Sequence, residues 1–599
     1  MRATGLLRSI VLFGMALWLL GAATHAEARP APVPEPFLQA PIWAYNNWSA
    51  YDELSDNVPL TETLAMREVD EILRLRKAGV RIDYYVMDAF WYDPDGGYRR
   101  WRAADWPQGP DRWLDALQAN GIKPGLWFST NTLTHMNAAP QWRDSLDATG
   151  NAMSLTAGDF LADFMDVLQY WYDRGIRLFK FDMANFDAVA RSQEGKMTPH
   201  AARIANLRAF HAALLAFRKR NSDVVLIAFN GIVGDVGSET APVAAFNGRW
   251  LDTIDTFYSG DPRPSNVPEM DFWRSVDIYA DNMVRSFEQA GIPPERIDST
   301  SFMIGNTGTN YHRGIADWQA SALLMMAHGG WINTIHGSLE LIDNEKASWL
   351  AKAQALYAPL QQHGLTKSFG GIPGDAYPYG FGSVDLDGAL YAVVNPSQRV
   401  RMVRMPQLSP QQPRPQHGRI LFRDAGFDPT LANESITLGP GQFALVGFGR
   451  YADAANDLGT GDNAPIPRSI RTVQTHFSRV AEKDETEPSS TTIEAMIVPP
   501  ASGDLRIVLR RRNSHDKLSR VFAPRENFGD FFTIEAFQDG HPLPVGKNYD
   551  KVIWSGLAWA VGEIRHGDIR PGKPIELKLS TPDRDPSIHL TGQVLSIEY

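Results

Sequence analysis

Cysteine is absent from the 599 residues. That excludes disulfide staples, thiolate metal sites and cysteine nucleophiles, and leaves burial to hold the fold. Basic charge is scarce: 58 Lys and Arg against 69 Asp and Glu give a formal net charge of −11. A nucleic-acid partner needs a basic face to neutralise phosphates, so none is expected, and a polyanionic substrate is disfavoured too. Long apolar runs are missing beyond residue 28. No later stretch approaches ~18 uninterrupted apolar positions, so the mature chain is expected to have no membrane span. No His or carboxylate pattern has metal-ligand spacing, and neither a metal nor another cofactor is expected.

The chain opens with MRATGLLRSIVLFGMALWLLGAATHAEARP. Arg2 and Arg8 precede an apolar run too short to span a bilayer comfortably, and Ala26-Glu27-Ala28 supplies small residues for cleavage, so residues 1–28 read as a secretory signal peptide. A membrane anchor is the alternative. Its removal would take the formal charge to −12. The expected location is periplasmic or extracellular. Aromatics make up 11% of the chain and 17 residues are Trp, a composition that suits sugar binding and core packing equally.

Between residues 40 and 365, eight short apolar runs alternate with amphipathic helical stretches. The runs are 41–48, 81–88, 123–128, 176–183, 223–230, 251–259, 299–306 and 330–336. Eight strands alternating with helices predict a closed (β/α)8 TIM barrel in preference to a doubly wound sheet. Beyond it the helical period disappears. Residues 366–450 predict an antiparallel β-sandwich, the Gly/Asp/Asn/Pro-rich 451–469 a linker, and 470–599 a further all-β module. Arg510, Arg511 and Arg512 in that module read as a solvated strand edge.

Chemistry in such a barrel sits at the carboxyl ends of the strands. Lys180 and Asp182 end the fourth run, in GIRLFKFDMANFD, and share one face of it. Asp88 ends the second run, Asn230 the fifth and Asn306 the seventh. A carboxylate beside an ammonium stays ionised, which suits a nucleophile, although a structural ion pair would leave the same trace. Retaining glycoside chemistry needs a second carboxyl ~5–5.5 Å away. Asp261, Glu269, Asp271, Asp277 and Asp281 all follow the sixth run, and spacing does not choose among them. His312 and His336 follow barrel strands singly and read as structural.

Five motifs in order resemble clan D glycoside hydrolases, the retaining α-galactosidases and α-N-acetylgalactosaminidases of families 27 and 36. AYNNWSAY (44–51) is similar to their G-W-N-S-W-x-x-F opening. The stretch from VMDAFWYDPDGG to GIKPGLWF is similar to D-D-x-W … G-x-K-x-G-L-W. LFKFD is similar to the nucleophile strand, and WRSVDIY to the W-R-x-x-x-D acid/base loop, one residue shorter. FMIGNTG with HGGWINT is similar to the last two barrel strands, and the likeness covers about residues 40–450. It implies Asp182 as nucleophile and Asp277 as acid/base. It further implies that Lys180, Arg274, Asp88 and Asn230 hold the sugar and that Trp48 and Trp127 line its pocket. The expected partner is a carbohydrate, an oligosaccharide or a polysaccharide side chain.

The chain also departs from the pattern. The paired Asp-Asp after the second strand is Asp88-Ala89, with Asp93 or Asp95 as candidate replacements, and the first Trp of the opening motif is Tyr45. Alongside α-galactosides, α-N-acetylgalactosaminides and β-L-arabinopyranosides therefore stay open. So do transglycosylation on the same residues and an inactive glycan-binding barrel.

Overall fold

Runs rich in Val, Ile, Leu and aromatics become the strands of one parallel sheet in a computed structural model. It describes residues 40–48, 50, 60–228, 247–260, 265, 272–299, 302–305, 315, 317–410, 417–462, 466–480, 491–520, 531–547, 558–582, 585 and 587–599. The strands are β1 (Ile42–Asn46), β2 (Tyr84–Met87), β3 (Lys123–Ser129), β4 (Leu178–Asp182) and β5 (Val225–Ala228). They continue with β6 (Thr256–Tyr258), β7 (Ile297–Asp298), β8 (Met303–Ile304) and β9 (Ile332–Gly337). Their order is β7-β6-β5-β4-β3-β2-β1-β9-β8. β7 pairs with β6 and β8 with β9, while only residues 299–302 separate β7 from β8 along the chain. They are two pieces of one interrupted strand, and together they close the ring. The result is the expected TIM barrel with antiparallel sheets after it.

Helices α1 (Glu62–Lys77), α2 (Asp111–Ala119), α3 (Phe160–Asp173), α4 (Pro199–Arg220), α5 (Phe272–Gln289), α6 (Trp318–Ala327) and α7 (Asn344–His363) lie between and after the strands. Their starts carry ordinary capping chemistry. Thr61, Thr198 and Asp343 each accept a hydrogen bond from a first-turn N–H, and Pro199 occupies the first position of α4. α5 begins at Phe272, so Asp277 lies inside the helix. Among the described residues, no helix is long and apolar enough to cross a membrane.

The two-residue period of the strands sorts their side chains. Ile42, Ala44, Tyr84, Val86, Leu178, Val225, Ile227, Tyr258 and Ile332 point inward and pack on one another. Outward residues pack against the helices. Most of the tryptophan belongs there: Trp91 touches Trp101 and Trp171, Trp101 touches Trp106 and Trp113, and all five are buried. Core packing thus accounts for them. Tyr45 also faces outward, and its hydroxyl donates to Glu68 at 2.8 Å. Burial pushes the Glu68 carboxyl up to about 8.

Between Leu365 and Thr460 a six-stranded sheet, antiparallel except for its edge strand Gly459–Thr460, and a three-stranded antiparallel sheet form a sandwich; between Ser469 and Glu598 two five-stranded sheets form another. The Gly/Asp-rich passage between them is tied down. Leu458 N–H donates to Leu421 at 2.7 Å, the Trp349 indole donates to the Leu458 carbonyl at 2.9 Å, and Gly459–Thr460 pairs with Phe422 and Arg423. The arginine run differs from its expected solvated edge. The strand Asp504–Arg512 is central, flanked by Trp559–Ile564 and His589–Glu598. Arg510 and Arg511 are buried, Arg510 donating to Gln593 at 3.0 Å and Arg511 to Ser519. Burial pulls the Arg510 guanidinium down to about 10.

Candidate active site

Toward the carboxyl ends of the strands, the inward face turns from apolar to polar. β1 contributes Asn46, the residue after β2 is Asp88, β4 contributes Lys180 and Asp182, and β9 contributes Thr334 and His336. The Lys180 ammonium donates to Asp88 at 2.8 Å, and the Asn46 amide donates to the same carboxylate at 2.7 Å. Both charges are buried. Such a pair survives loss of water only because each partner compensates the other and further hydrogen bonds help. Lys180 also stands 5.3 Å from the centre of the Tyr258 ring.

Asp182 differs from these neighbours in being only half-buried. Among the described residues, three donors hold its carboxylate: the Trp127 indole at 3.2 Å, the Tyr258 hydroxyl at 2.5 Å and the Met183 N–H at 2.7 Å. The Lys180 ammonium is engaged by Asp88, and the direct donors to Asp182 are neutral groups. Phe90 packs edge-on to Trp127 with ring centres 5.7 Å apart, and Trp48 meets His336 edge-on at 6.5 Å, so aromatic side chains flank the polar set.

A further carboxyl belongs to this interior. Asp298, at the end of β7, is buried and accepts from the Thr334 hydroxyl, 3.0 Å from each carboxylate oxygen. Burial pushes it up to about 7, against the opposing pull of Thr334 and Lys180. His336 is pushed well below its usual range by burial, with Lys180 adding to the effect, so its imidazole is neutral. Sequence reasoning missed Asp298 because the seventh strand was expected to start one residue later. It also passed over Tyr258, whose inward place on β6 follows from the strand period alone.

Arg274 and Asp277 are brought together on α5, at 3.2 Å. Arg274 also donates to Asp424 at 2.8 Å and to the Gly441 carbonyl at 3.2 Å, both in the sandwich. One turn on, Asp281 accepts from Tyr379 at 2.6 Å and pairs with His328 at 2.7 Å. Burial raises the carboxyls of both Asp281 and Asp424. All three guanidinium nitrogens of Arg274 are thus engaged by protein oxygens, and the side chain is buried. Asp277 is likewise shut from solvent, 1% exposed. The candidate replacements for the missing carboxylate after β2 lie in a turn: Asp93 pairs with Arg100 at 3.4 Å and Asp95 accepts from Asn137 at 2.8 Å. Asn230, Asn306, His312, Asp261, Glu269 and Asp271 lie outside the described residues. Among the described residues, no cluster of three or more His, Asp or Glu could hold a metal ion.

No family model matches the chain, and no curated protein matches it. Among solved structures it is similar to the trehalose-6-phosphate hydrolase of Bacillus licheniformis, with 11% identity over 69% of this chain and 100% of that one, at a TM-score of 0.45. It is similar to an α-galactosidase of Saccharomyces cerevisiae bound to raffinose, with 12% identity over 61% of this chain and 76% of that one, at a TM-score of 0.39. A third is an Anoxybacillus α-amylase, with 10% identity over 69% of this chain and 99% of that one, at a TM-score of 0.43.

Proposed function

We propose that this chain is an exported retaining glycoside hydrolase whose nucleophile is Asp182, acting on terminal α-galactosyl residues. The observation that carries the reading is the half-exposed Asp182 carboxylate at the barrel mouth, aimed by Trp127 and Tyr258 above the buried Lys180–Asp88 pair. A carboxylate so held can attack the anomeric carbon as the glycosidic bond breaks, giving a glycosyl ester that water then hydrolyses. The same carboxyl that protonates the departing oxygen then deprotonates the water. The galactosyl preference rests on the five motifs, and export on the leader-like first 28 residues.

The motifs give the proton-handling role to Asp277. A second reading gives it to Asp298, favoured by its place in the barrel interior and its carboxyl raised to about 7, a value suited to a proton donor near neutrality. Azide separates the two. It replaces water without needing a general base, so it restores turnover of an activated aryl glycoside only in the variant, Asp277→Asn or Asp298→Asn, that has lost the acid/base.

The primary test is turnover of nitrophenyl glycosides differing in sugar and anomer, with product stereochemistry read by NMR. Wild type should release a product of retained configuration from the α-galactoside, and Asp182→Ala should release none. Equal turnover by both proteins eliminates Asp182, and an inverted product eliminates the double displacement. Glycan binding without turnover of any substrate would favour an inactive barrel.

A further inference from the structure

A buried carboxyl stands behind the barrel strands. Glu68, on α1, is 2% exposed, and the hydroxyls of Tyr45 on β1 and Tyr85 on β2 both meet it, one at each carboxyl oxygen. The Tyr45 hydroxyl is also 3.0 Å from the carbonyl of Gly337, the last residue of β9. Tyr45 stands where the opening motif it resembles has Trp, and the difference brings this hydroxyl to the spot.

The hydrogens do not suffice if Glu68 is charged. A carbonyl and a carboxylate only accept, and Tyr45 has one hydrogen for the two of them. A proton on Glu68 resolves the conflict: the carboxyl donates to the Tyr45 oxygen, and Tyr45 donates to Gly337. Tyr85 then donates to the other Glu68 oxygen and accepts from the Asn47 amide at 3.4 Å, while the Asn47 side-chain carbonyl accepts from the Asp88 N–H at 2.9 Å. Asp88 is the partner of Lys180. Burial favours the neutral acid, and Glu340, on the turn after β9, adds to it. Glu340 in turn pairs with Arg67 at 3.9 Å. The end of β9 is tightly packed: a Cβ on Gly337 would lie 1.8 Å from the Ile304 carbonyl oxygen of β8.

We propose that Glu68, as the neutral acid, is a positioning residue for the site: through Tyr45 it sets the end of β9, where His336 lies, and through Tyr85 and Asn47 it sets Asp88. This rests on the glycosidase reading for the reaction it serves. Glu68 touches no reacting atom and acts only through these neighbours. Once ionised it takes the Tyr45 hydrogen for itself, Gly337 loses that donor, and the end of β9 is freed.

The conservative variant Glu68→Gln tests this, because an amide donates to Tyr45 and accepts from Tyr85 as the acid does, and cannot ionise. Tyr45→Phe removes the donor to Gly337. Both full-length variants are read by kcat/KM on the glycoside that wild type hydrolyses, well below their melting temperatures. The readings are taken at about pH 6 and about pH 9.5, either side of the Glu68 value of about 8. The ratio of Glu68→Gln to wild type cancels the limbs that other groups impose. It should be near one at the lower pH and about fivefold at the higher, the worth of one neutral hydrogen bond. Tyr45→Phe should lower kcat/KM about fivefold at the lower pH. A ratio near one at both pH values, loss of turnover in Glu68→Gln at the lower pH, or wild-type turnover in Tyr45→Phe overturns the proposal. A carboxyl of purely structural use gives the first of these, since it changes melting alone. If wild type hydrolyses no glycoside, the enzymatic reading falls by itself, and hydrogen exchange of peptides covering residues 332–338 decides the positioning role. Faster exchange in Tyr45→Phe than in wild type and Glu68→Gln supports it, and equal rates in all three overturn it.

Discussion

The lower and upper halves of the barrel interior are built by the same strands with the same inward period, yet they hold opposite chemistry. Below, Ile42, Val86, Leu178, Val225, Ile227 and Ile332 form a dry plug. Above, Asn46, Asp88, Lys180, Asp182, Asp298 and His336 occupy the next inward positions. Apolar side chains in the lower half contribute about 1.5–3 kcal/mol each when fully buried. The upper half is a liability to folding, offset from below and from its internal pairings. An inward position that period alone would make apolar, but that carries charge, is a position kept for chemistry.

Breaking the buried pair should have the largest effect on stability. Lys180→Met leaves Asp88 buried without its cation and should cost about 3–5 kcal/mol, read as a fall in the urea midpoint, with loss of turnover alongside. Asp88→Asn in the same chain should recover part of the stability and none of the turnover. In the plug, Ile227→Ala should cost about 2–5 kcal/mol through the cavity it opens. Turnover measured well below its melting temperature should stay at the wild-type value. Loss of turnover in a folded Ile227→Ala protein would erase the distinction between the halves.

A smaller effect concerns pH. Asp298 ionises at about 7 in the folded chain against an ordinary value of 3.8. Between those values the folded state holds the extra proton, so the stabilisation is complete below pH 3.8 and is lost as pH rises through about 7. Asp298→Asn cannot ionise and should flatten that slope, so the wild-type urea midpoint should fall relative to the variant's between pH 4 and pH 7.5. Glu68 imposes a slope of the same sign up to about 8 in both proteins and cancels in the difference. Smallest of all, Tyr258→Phe removes one donor to Asp182 and should lower kcat about tenfold with little change in melting. An unchanged kcat would take Tyr258 out of the site.

Much of this was legible in the chain. All eight staves of the barrel follow from apolar runs bounded by turn residues, and the face shared by Lys180 and Asp182 follows from the strand period. What escaped was set by contacts remote in sequence. The seventh strand comes in two pieces, one paired with β6 and the other with β9, and its first piece, with Asp298, lies ahead of the run that announced it. Arg510 reads as a solvated edge because charge usually means water, and it is buried because its strand is central and its guanidinium donates to Gln593 of the neighbouring strand. Arg274 reads as a ligand from its motif, and its partners Asp424 and Gly441 lie 150 and 167 positions away, in the sandwich.

The central claim is that Asp182 bonds briefly to the sugar. An activated glycoside carrying fluorine in place of its C2 hydroxyl slows hydrolysis of the ester more than its formation, and so traps it. Wild-type protein incubated with the α-galactosyl form should gain one fluorosugar in mass, and digestion should place it on the peptide containing Asp182. A label on any other carboxylate of an inactivated enzyme, or rapid turnover with inverted product and no label, would contradict the account.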